Sequence, residues 1–214
     1  MNLEGEKMNL KKASLLLIIG LLYTVFYKVI LWILPAVSNS NFLKNILSLL
    51  WLISAFTIII FIYFFIKEVT PLNSQIKISL QLIILFTGII VLLKLPVELI
   101  PINRILRNSI FEAARLLNSF SILMFFIFFN KIIPARNSLR LPIRLAIWGF
   151  SIGLILGLIT FGYYINFILT GHEAVPFPPL QFLAIIVFIF TYPVIINFLI
   201  KFSKVENYST LIER

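Results

Sequence analysis

The sequence predicts an all-α fold, a polytopic membrane bundle of six transmembrane helices, and three observations support this prediction. The 214-residue chain is 61% hydrophobic and 12% charged, whereas soluble domains are about 45–50% apolar and about 25% charged. Its mean hydropathy of +1.07 is correspondingly high. Six apolar stretches are each long enough to cross a hydrocarbon core of about 30 Å as a helix, which takes roughly 20 residues. We therefore expect one integral membrane domain over residues 1–214, without a sizeable soluble part.

The first three spans are predicted over residues 13–37, 45–66 and 78–97. A helix is expected in each, because lipid offers no partner for unpaired backbone groups. Two lysines precede the first span, a run of Ser and Asn follows it, and a Lys-Glu pair ends the second. The boundary after the third span is the weakest of the set, since residues 95–108 are still fairly apolar.

The last three spans are predicted over residues 109–130, 145–169 and 180–200. A strongly basic connection separates the fourth span from the fifth, and a loop rich in Pro and Phe separates the fifth from the sixth. We expect this second loop to be a stiff outer connection, with a lid or a docking surface as the alternative. Pro193 lies inside the sixth span, where its missing backbone N–H predicts a kink or a local break.

Lys and Arg are unevenly divided between the two sides of this bundle, which sets its expected orientation. With the N-terminus inside, the cytoplasmic side carries twelve of them, so both termini are expected to be cytoplasmic. These twelve are Lys7, Lys11, Lys12, Lys67, Lys77, Lys131, Arg136, Arg140, Arg144, Lys201, Lys204 and Arg214. The outer side carries Lys44, Lys94, Arg104 and Arg107. Because these charges are spread over short loops, we expect them to contact anionic lipid headgroups and not nucleic acid.

Missing residue types exclude several classes of site. The chain has no Cys and all eight of its acidic residues are Glu, which excludes thiolate metal sites, thiol catalysis and aspartyl intramembrane proteases. The only histidine, His172, follows Ser151 of a G-x-S-x-G sequence by 21 residues, which is roughly 30 Å along a helix. The two cannot form a catalytic dyad at that distance. No metal site and no cofactor are therefore predicted.

Charged residues inside the predicted spans are candidate functional residues, because burying a charge costs on the order of 2.5–3.5 kcal/mol on insertion scales. Lys28 lies past the middle of the first span, beside two tyrosines and a threonine. We include it among the candidate binding residues. The alternative is that its long side chain reaches along the helix to the outer interface near Trp32.

The densest charged group falls where the third and fourth spans are expected to form a hairpin. Lys94 and Glu98 are four residues apart, and Glu112 and Arg115 are three apart, so each pair shares one helix face. If the hairpin turns near Asn103, Glu98 would lie opposite Arg115 and Lys94 opposite Glu112. Crossed ion pairs between the two helices would then neutralise all four charges.

Two interpretations of this group are open. In the first, the ion pairs simply hold the hairpin together. In the second, the group lines a polar pocket near the outer side, where Arg115 and Lys94 bind an anionic headgroup or a small solute, with Asn118 just beyond Arg115. Pro96 and Pro101 favour the pocket modestly, because proline interrupts helices and frees backbone carbonyls.

The fifth span carries a face of small residues. Gly149, Gly153 and Gly157 form two overlapping G-x-x-x-G steps. Without side chains at these positions, another helix can approach closely. We expect the partner to be another helix of the same chain, with a second copy of the chain as the alternative.

Three classes of function remain open. The first hypothesis is a non-enzymatic, permease-like protein or transporter subunit that handles a small solute or lipid. The second is a structural or sensory membrane subunit of a larger complex, and the third is a lipid-modifying enzyme with Glu98 or Glu112 as general base. The expected partners are the lipid bilayer and either a membrane protein or a second copy of the chain. The wealth of Lys, Ile, Asn and Phe favours a bacterial cytoplasmic membrane.

Overall fold

The computed structural model describes residues 9–33, 41–69, 72–94, 104–170 and 178–205. This part of the chain forms six α-helices and contains no strand, so the all-α prediction is confirmed. The helices are α1 (Leu10–Ile33), α2 (Asn41–Glu68), α3 (Ser74–Lys94), α4 (Arg104–Ile132), α5 (Arg140–Thr170) and α6 (Pro178–Ser203). Each helix overlaps one predicted span. Most of them extend beyond it, because polar residues prolong a helix past the end of the apolar stretch.

Within the described residues, four helices are long and apolar enough to cross a membrane, namely α3, α4 from Leu106, α5, and α6 from Leu183. In each of them, 33% or less of the most apolar stretch is buried within the protein. Large apolar side chains face outward instead, and Trp148 and Leu169 are 68% and 78% exposed. A helix that is apolar on all sides belongs in a protein core or in lipid. Since these helices are largely uncovered by protein, they indicate a membrane location.

The helices group into two compact units, each of which is described by itself. The first unit comprises residues 1–72 and 196–214, and the second comprises residues 73–195. Helices α1 and α2 and the last turns of α6 belong to the first unit, while α3, α4, α5 and most of α6 belong to the second. The expectation that residues 1–214 form one membrane domain stays a prediction.

Four phenylalanines form an aromatic core in the first unit, where α2 meets the last turns of α6. The ring of Phe202 stacks on Phe65 at a centroid distance of 5.4 Å and on Phe198 at 5.6 Å, and it meets Phe61 edge-on at 6.2 Å. All four side chains are buried. Such aromatic pairs contribute about 0.5–1.5 kcal/mol each beyond the area that they bury.

Two side chains satisfy the free backbone N–H groups at the start of α1. Asn9 Oδ1 accepts a hydrogen bond from the Lys12 N–H at 2.9 Å, which is the usual arrangement of a helix N-cap. Glu68 Oε1, at the end of α2, accepts one from the Leu10 N–H at 2.8 Å. The helix dipole also favours a carboxylate at this place. Glu68 therefore ties the end of α2 to the start of α1.

Asparagine caps and aromatic stacking stabilise the helices of the second unit. Asn73 Oδ1 accepts from the Gln75 N–H at 3.0 Å before α3, and Asn137 Oδ1 accepts from the Leu139 N–H at 2.9 Å before α5. Helix α4 packs along both α3 and α5. Rings of α4 stack on each other and on α5. This packing fixes which face of α5 meets α4 and leaves another face for α6.

Candidate functional site

A cavity of about 310 Å³ lies in the second unit and is lined by residues of α4, α5 and α6. Helix α4 contributes Arg115, Leu116 and Ser119, while α5 and α6 contribute residues within 149–160 and 184–192. Ligand pockets typically have volumes of about 300–1,000 Å³. The cavity therefore has room for one small ligand.

The glycine face of α5 creates this cavity. A Cβ atom added at Gly149 would overlap the hydroxyl of Thr191 in α6, and one added at Gly157 would lie 2.7 Å from Leu116 Cδ2 in α4. At Gly153 the nearest described atom to an added Cβ would be Val187 Cγ1, at the ordinary contact distance of 3.6 Å. The two outer glycines thus allow close contact with two different helices, and the middle one leaves room for an ordinary contact with α6.

The cavity lies at the middle of α5. This helix has 31 residues, and its cavity-lining stretch, residues 149–160, is centred on it. At 1.5 Å per residue the stretch extends over roughly 16 Å. If α5 crosses the membrane, the cavity lies near the bilayer midplane, which is where transporters commonly hold their substrates.

The aliphatic hydroxyls in the cavity wall donate their protons to their own helices. Ser119 Oγ donates to the Arg115 carbonyl at 3.0 Å, Thr160 Oγ1 to the Leu156 carbonyl at 2.9 Å, and Thr191 Oγ1 to the Val187 carbonyl at 2.7 Å. A hydroxyl has a single proton, so these groups can offer a ligand only acceptor oxygens.

Arg115 is the charged member of the cavity wall, and it already has an anionic partner. Its Nη2 lies 2.9 Å from Oε2 of Glu112, one turn earlier on α4. The Arg115 side chain is 48% exposed and that of Glu112 is 24% exposed. A guanidinium carries several fixed donors and binds carboxylates and phosphates in two-point fashion. It is therefore the group in this wall best suited to an anionic ligand.

The other predicted site residues have different surroundings. Lys94 is exposed at the end of α3, and its Nζ lies 5.9 Å from the ring centroid of Phe111 in α4. Asn118 Oδ1 is buried and has no hydrogen-bond partner among the described residues, and Asn118 is not among the cavity-lining residues. Glu98 and the side chain of Lys28 lie outside the described residues. Crossed ion pairs across the α3–α4 hairpin stay a prediction.

Arg107 makes the contact between α3 and α4 that sequence reasoning missed. Its Nε donates to the Leu93 carbonyl at 2.7 Å, and its Nη2 donates to the same oxygen. The last carbonyls of a helix have no partner within it, and a cation there is also favoured by the helix dipole. A usable signal existed, since Arg107 follows the end of α3 after a short connection and lies in the first turn of α4.

Sequence reasoning also missed the α6 wall of the cavity. Thr191 and Tyr192 directly precede Pro193 in α6, and both line the cavity. The ring of Tyr192 packs on Phe188, one turn earlier, with a centroid distance of 4.2 Å. Their four-residue spacing matches that of the glycines in α5. This shared period was the sequence signal that could have placed the two rings and the glycines at one helix contact.

The described residues contain no cluster of three His, Cys, Asp or Glu side chains that could hold a metal ion. In comparisons with known proteins, no family model matches the chain, and neither a curated protein nor a solved structure matches it significantly.

Proposed function

We propose that the chain is a six-span membrane protein that binds a small solute or lipid in the cavity of its second unit. It acts as a permease or as the membrane subunit of a transporter. The observation that carries this proposal is the cavity itself, with one cationic side chain, apolar walls and a place halfway along α5. Cavities of this kind are the usual sites of small ligands.

Two features support the count of six spans. Helices α1 and α2 have 24 and 28 residues, which corresponds to roughly 36 and 42 Å. Both lengths exceed a hydrocarbon core of about 30 Å. Gly20 of α1 also packs against hydroxyl side chains of α2, which is typical of close helix contacts in membranes.

The orientation can be tested directly because the natural chain has no cysteine to give a background signal. Arg136 precedes α5 and Thr170 ends it, and both side chains are exposed. With cytoplasmic ends, a membrane-impermeant thiol reagent applied to intact cells should label Thr170→Cys and spare Arg136→Cys. Equal labelling of both variants in intact cells would contradict a spanning α5, and labelling of Arg136→Cys alone would reverse the orientation.

The binding site can be tested by filling the cavity. Gly153→Leu places a side chain in the cavity, whereas Gly162→Leu makes the same change about two and a half turns later, where an added Cβ meets no atom within 4 Å. We expect native mass spectrometry of gently extracted protein to show a bound small molecule on the natural chain and on Gly162→Leu. The adduct should be absent from Gly153→Leu.

Two outcomes would count against the proposal. An adduct that persists on Gly153→Leu, with the variant folded, would show that the cavity is not its site. A second protein at fixed ratio, without any small-molecule adduct, would favour the structural or sensory subunit instead. Glu112, one of the two carboxylates that the enzyme hypothesis names, is engaged with Arg115.

A further inference from the structure

We infer that the ligand of this cavity is an amphiphile with one oxyanion headgroup and one apolar chain, and that its headgroup replaces Glu112 on Arg115. This inference rests on the proposed function, since it names the ligand class of the same cavity. Three observations lead to it, namely the donors in the wall, the dimensions of the cavity, and the side chains around it.

The wall has one charged donor, the Arg115 guanidinium, and one neutral phenol, that of Tyr192, and the charge selects an anion. Ser119, Thr160 and Thr191 direct their protons to their own backbone carbonyls, so the Arg115 guanidinium is the charged donor that a ligand meets. Glu112 Oε2 lies 2.9 Å from Nη2 of that guanidinium. An entering oxyanion therefore competes with Glu112 for the charge of Arg115, and the free energy of the existing ion pair reduces the affinity for the ligand.

The dimensions of the cavity select a single chain. A volume of about 310 Å³ lies at the small end of the range of about 300–1,000 Å³ that is typical of ligand pockets. The middle of the wall, with Leu156, Val187 and Phe188, is apolar. A cavity of this size, lined by apolar side chains beside Gly153, suits a single hydrocarbon chain.

The surroundings of the cavity place its ligand in the membrane. Apolar side chains next to the lining residues point outward, and Ile152 and Ile155 of α5 and Ile186 of α6 are 42%, 58% and 48% exposed. The protein surface around the cavity is thus suited to lipid. A ligand that dissolves in the bilayer through its chain reaches the cavity from the hydrocarbon, since each buried methylene contributes about 0.8 kcal/mol to membrane partition.

The test compares a charged and a neutral probe on the full-length protein in lipid nanodiscs, with empty nanodiscs subtracted. Dodecanoate has a chain roughly 14 Å long at carbon–carbon bonds of about 1.5 Å, which matches the cavity, and dodecanol is its neutral analogue. We expect dodecanoate to bind more tightly. Arg115→Gln should lower the affinity for dodecanoate by about tenfold or more, as expected for the loss of charge-assisted hydrogen bonds. It should change the affinity for dodecanol by less than about twofold.

Glu112→Gln provides the more specific test, because the inference predicts that this variant binds dodecanoate more tightly than the natural chain does. Without its competing carboxylate, Arg115 should bind dodecanoate about two- to fivefold more tightly, the range expected for release of a partly exposed ion pair. Weaker binding of dodecanoate by Glu112→Gln would show that Glu112 positions Arg115. It would overturn the claim that the headgroup replaces Glu112 on Arg115. Lys77→Gln, an exposed change of charge on α3, is the matched control for Arg115→Gln and should alter neither probe.

The remaining outcomes separate this inference from the proposed function. Both probes could bind with equal affinity that Arg115→Gln leaves unchanged and Gly153→Leu abolishes. This result would overturn the assignment of an anionic ligand and retain the cavity as a binding site. Binding that survives Gly153→Leu would overturn both. Measuring the affinity for lysophosphatidic acid as a third probe distinguishes a preference for a phosphate headgroup from a preference for a carboxylate. A preference for either oxyanion supports the inference. Should Arg115→Gln fail to fold, Arg115→Lys should retain part of the preference for dodecanoate over dodecanol.

Discussion

Each of the two units contains a glycine that lies against hydroxyl side chains of a neighbouring helix, but the two contacts differ in what surrounds them. In the first unit, a Cβ added at Gly20 of α1 would lie 3.1 Å from Ser54 Oγ and 3.4 Å from Ser54 Cα in α2. In the second unit, Gly149 of α5 is equally close to Thr191 of α6. Nevertheless, both Gly149 and Gly153, one turn further along α5, line the cavity.

The hydrogen bonds of the two contacts also differ. Ser54 Oγ donates across to the Gly20 carbonyl and lies 2.8 Å from Thr24 Oγ1, so hydroxyls of α2 and α1 bridge the two helices. Thr191 Oγ1 instead donates to the Val187 carbonyl of its own helix. Small residues allow the helices to approach closely in both contacts. Hydrogen bonds between the helices join α1 to α2, whereas the hydroxyls that line the cavity bond within their own helices.

The largest expected effect is that of Gly20→Ala, because the closed contact has no room for a methyl group. The added Cβ would overlap the Thr57 hydroxyl, and overpacking of this kind costs about 2 kcal/mol. We expect the free energy of unfolding, measured by SDS titration in mixed micelles, to fall by that amount. Gly88→Ala is the control, since a Cβ there meets no atom within 4 Å. Equal stability of the two variants would mean that the Gly20 contact is as open as the cavity.

The next effect is that of Gly149→Ala, which tests the closed end of the second contact. The new Cβ would overlap the Thr191 hydroxyl and lie 3.2 Å from Thr191 Cβ, and a β-branched side chain cannot easily turn away. We expect a loss of about 1.5 kcal/mol in the free energy of unfolding. The double variant with Thr191→Ala should recover about 1 kcal/mol of this loss. If Thr191→Ala gives no recovery, the two residues are not in contact.

The sequence predicted the helices well and the site only in part, for physical reasons. A stretch of about 20 apolar residues needs lipid or protein around its side chains and internal hydrogen bonds for its backbone, and a helix satisfies both needs. For this reason each helix overlaps one predicted span. Side-chain partners depend on the rotation of each helix about its axis. The spacing of Glu112 and Arg115 predicted their shared face, but it could not show that they would pair with each other.

The cavity itself could not be derived from the chain. The repeat of Gly149, Gly153 and Gly157 predicts close packing at all three positions equally. What makes them different is the residue opposite each one, which is Thr191, Val187 or Leu116. Those residues lie on two different helices far apart in sequence. Their placement is a property of packing and has no local sequence signal.

A smaller effect measures the bridge between α1 and α2 directly. Thr24 and Ser54 are both buried, and their hydroxyl oxygens are 2.8 Å apart. Interhelical hydrogen bonds in membrane proteins average about 0.6 kcal/mol. We expect that coupling from a double-mutant cycle of Thr24→Val and Ser54→Ala, read from the free energy of unfolding. The same cycle on Thr160 and Thr191, whose hydroxyls bond within their own helices, should give no coupling. A coupling there would remove the distinction between the two contacts.

The smallest expected effect on stability belongs to Gly153→Ala, and it decides whether the glycine repeat contains one open position. An added Cβ would have Val187 Cγ1 as its nearest described neighbour, at 3.6 Å, so it adds an ordinary contact and no overlap. Alanine also favours the helix over glycine by up to about 1 kcal/mol. Gly153→Ala should therefore unfold within about 0.5 kcal/mol of the matched Gly162→Ala. A loss approaching that of Gly149→Ala would mean that the middle glycine is as tightly packed as the outer ones. The cavity would then be too narrow for a chain, and the ligand assignment would fail together with the contrast between the two units.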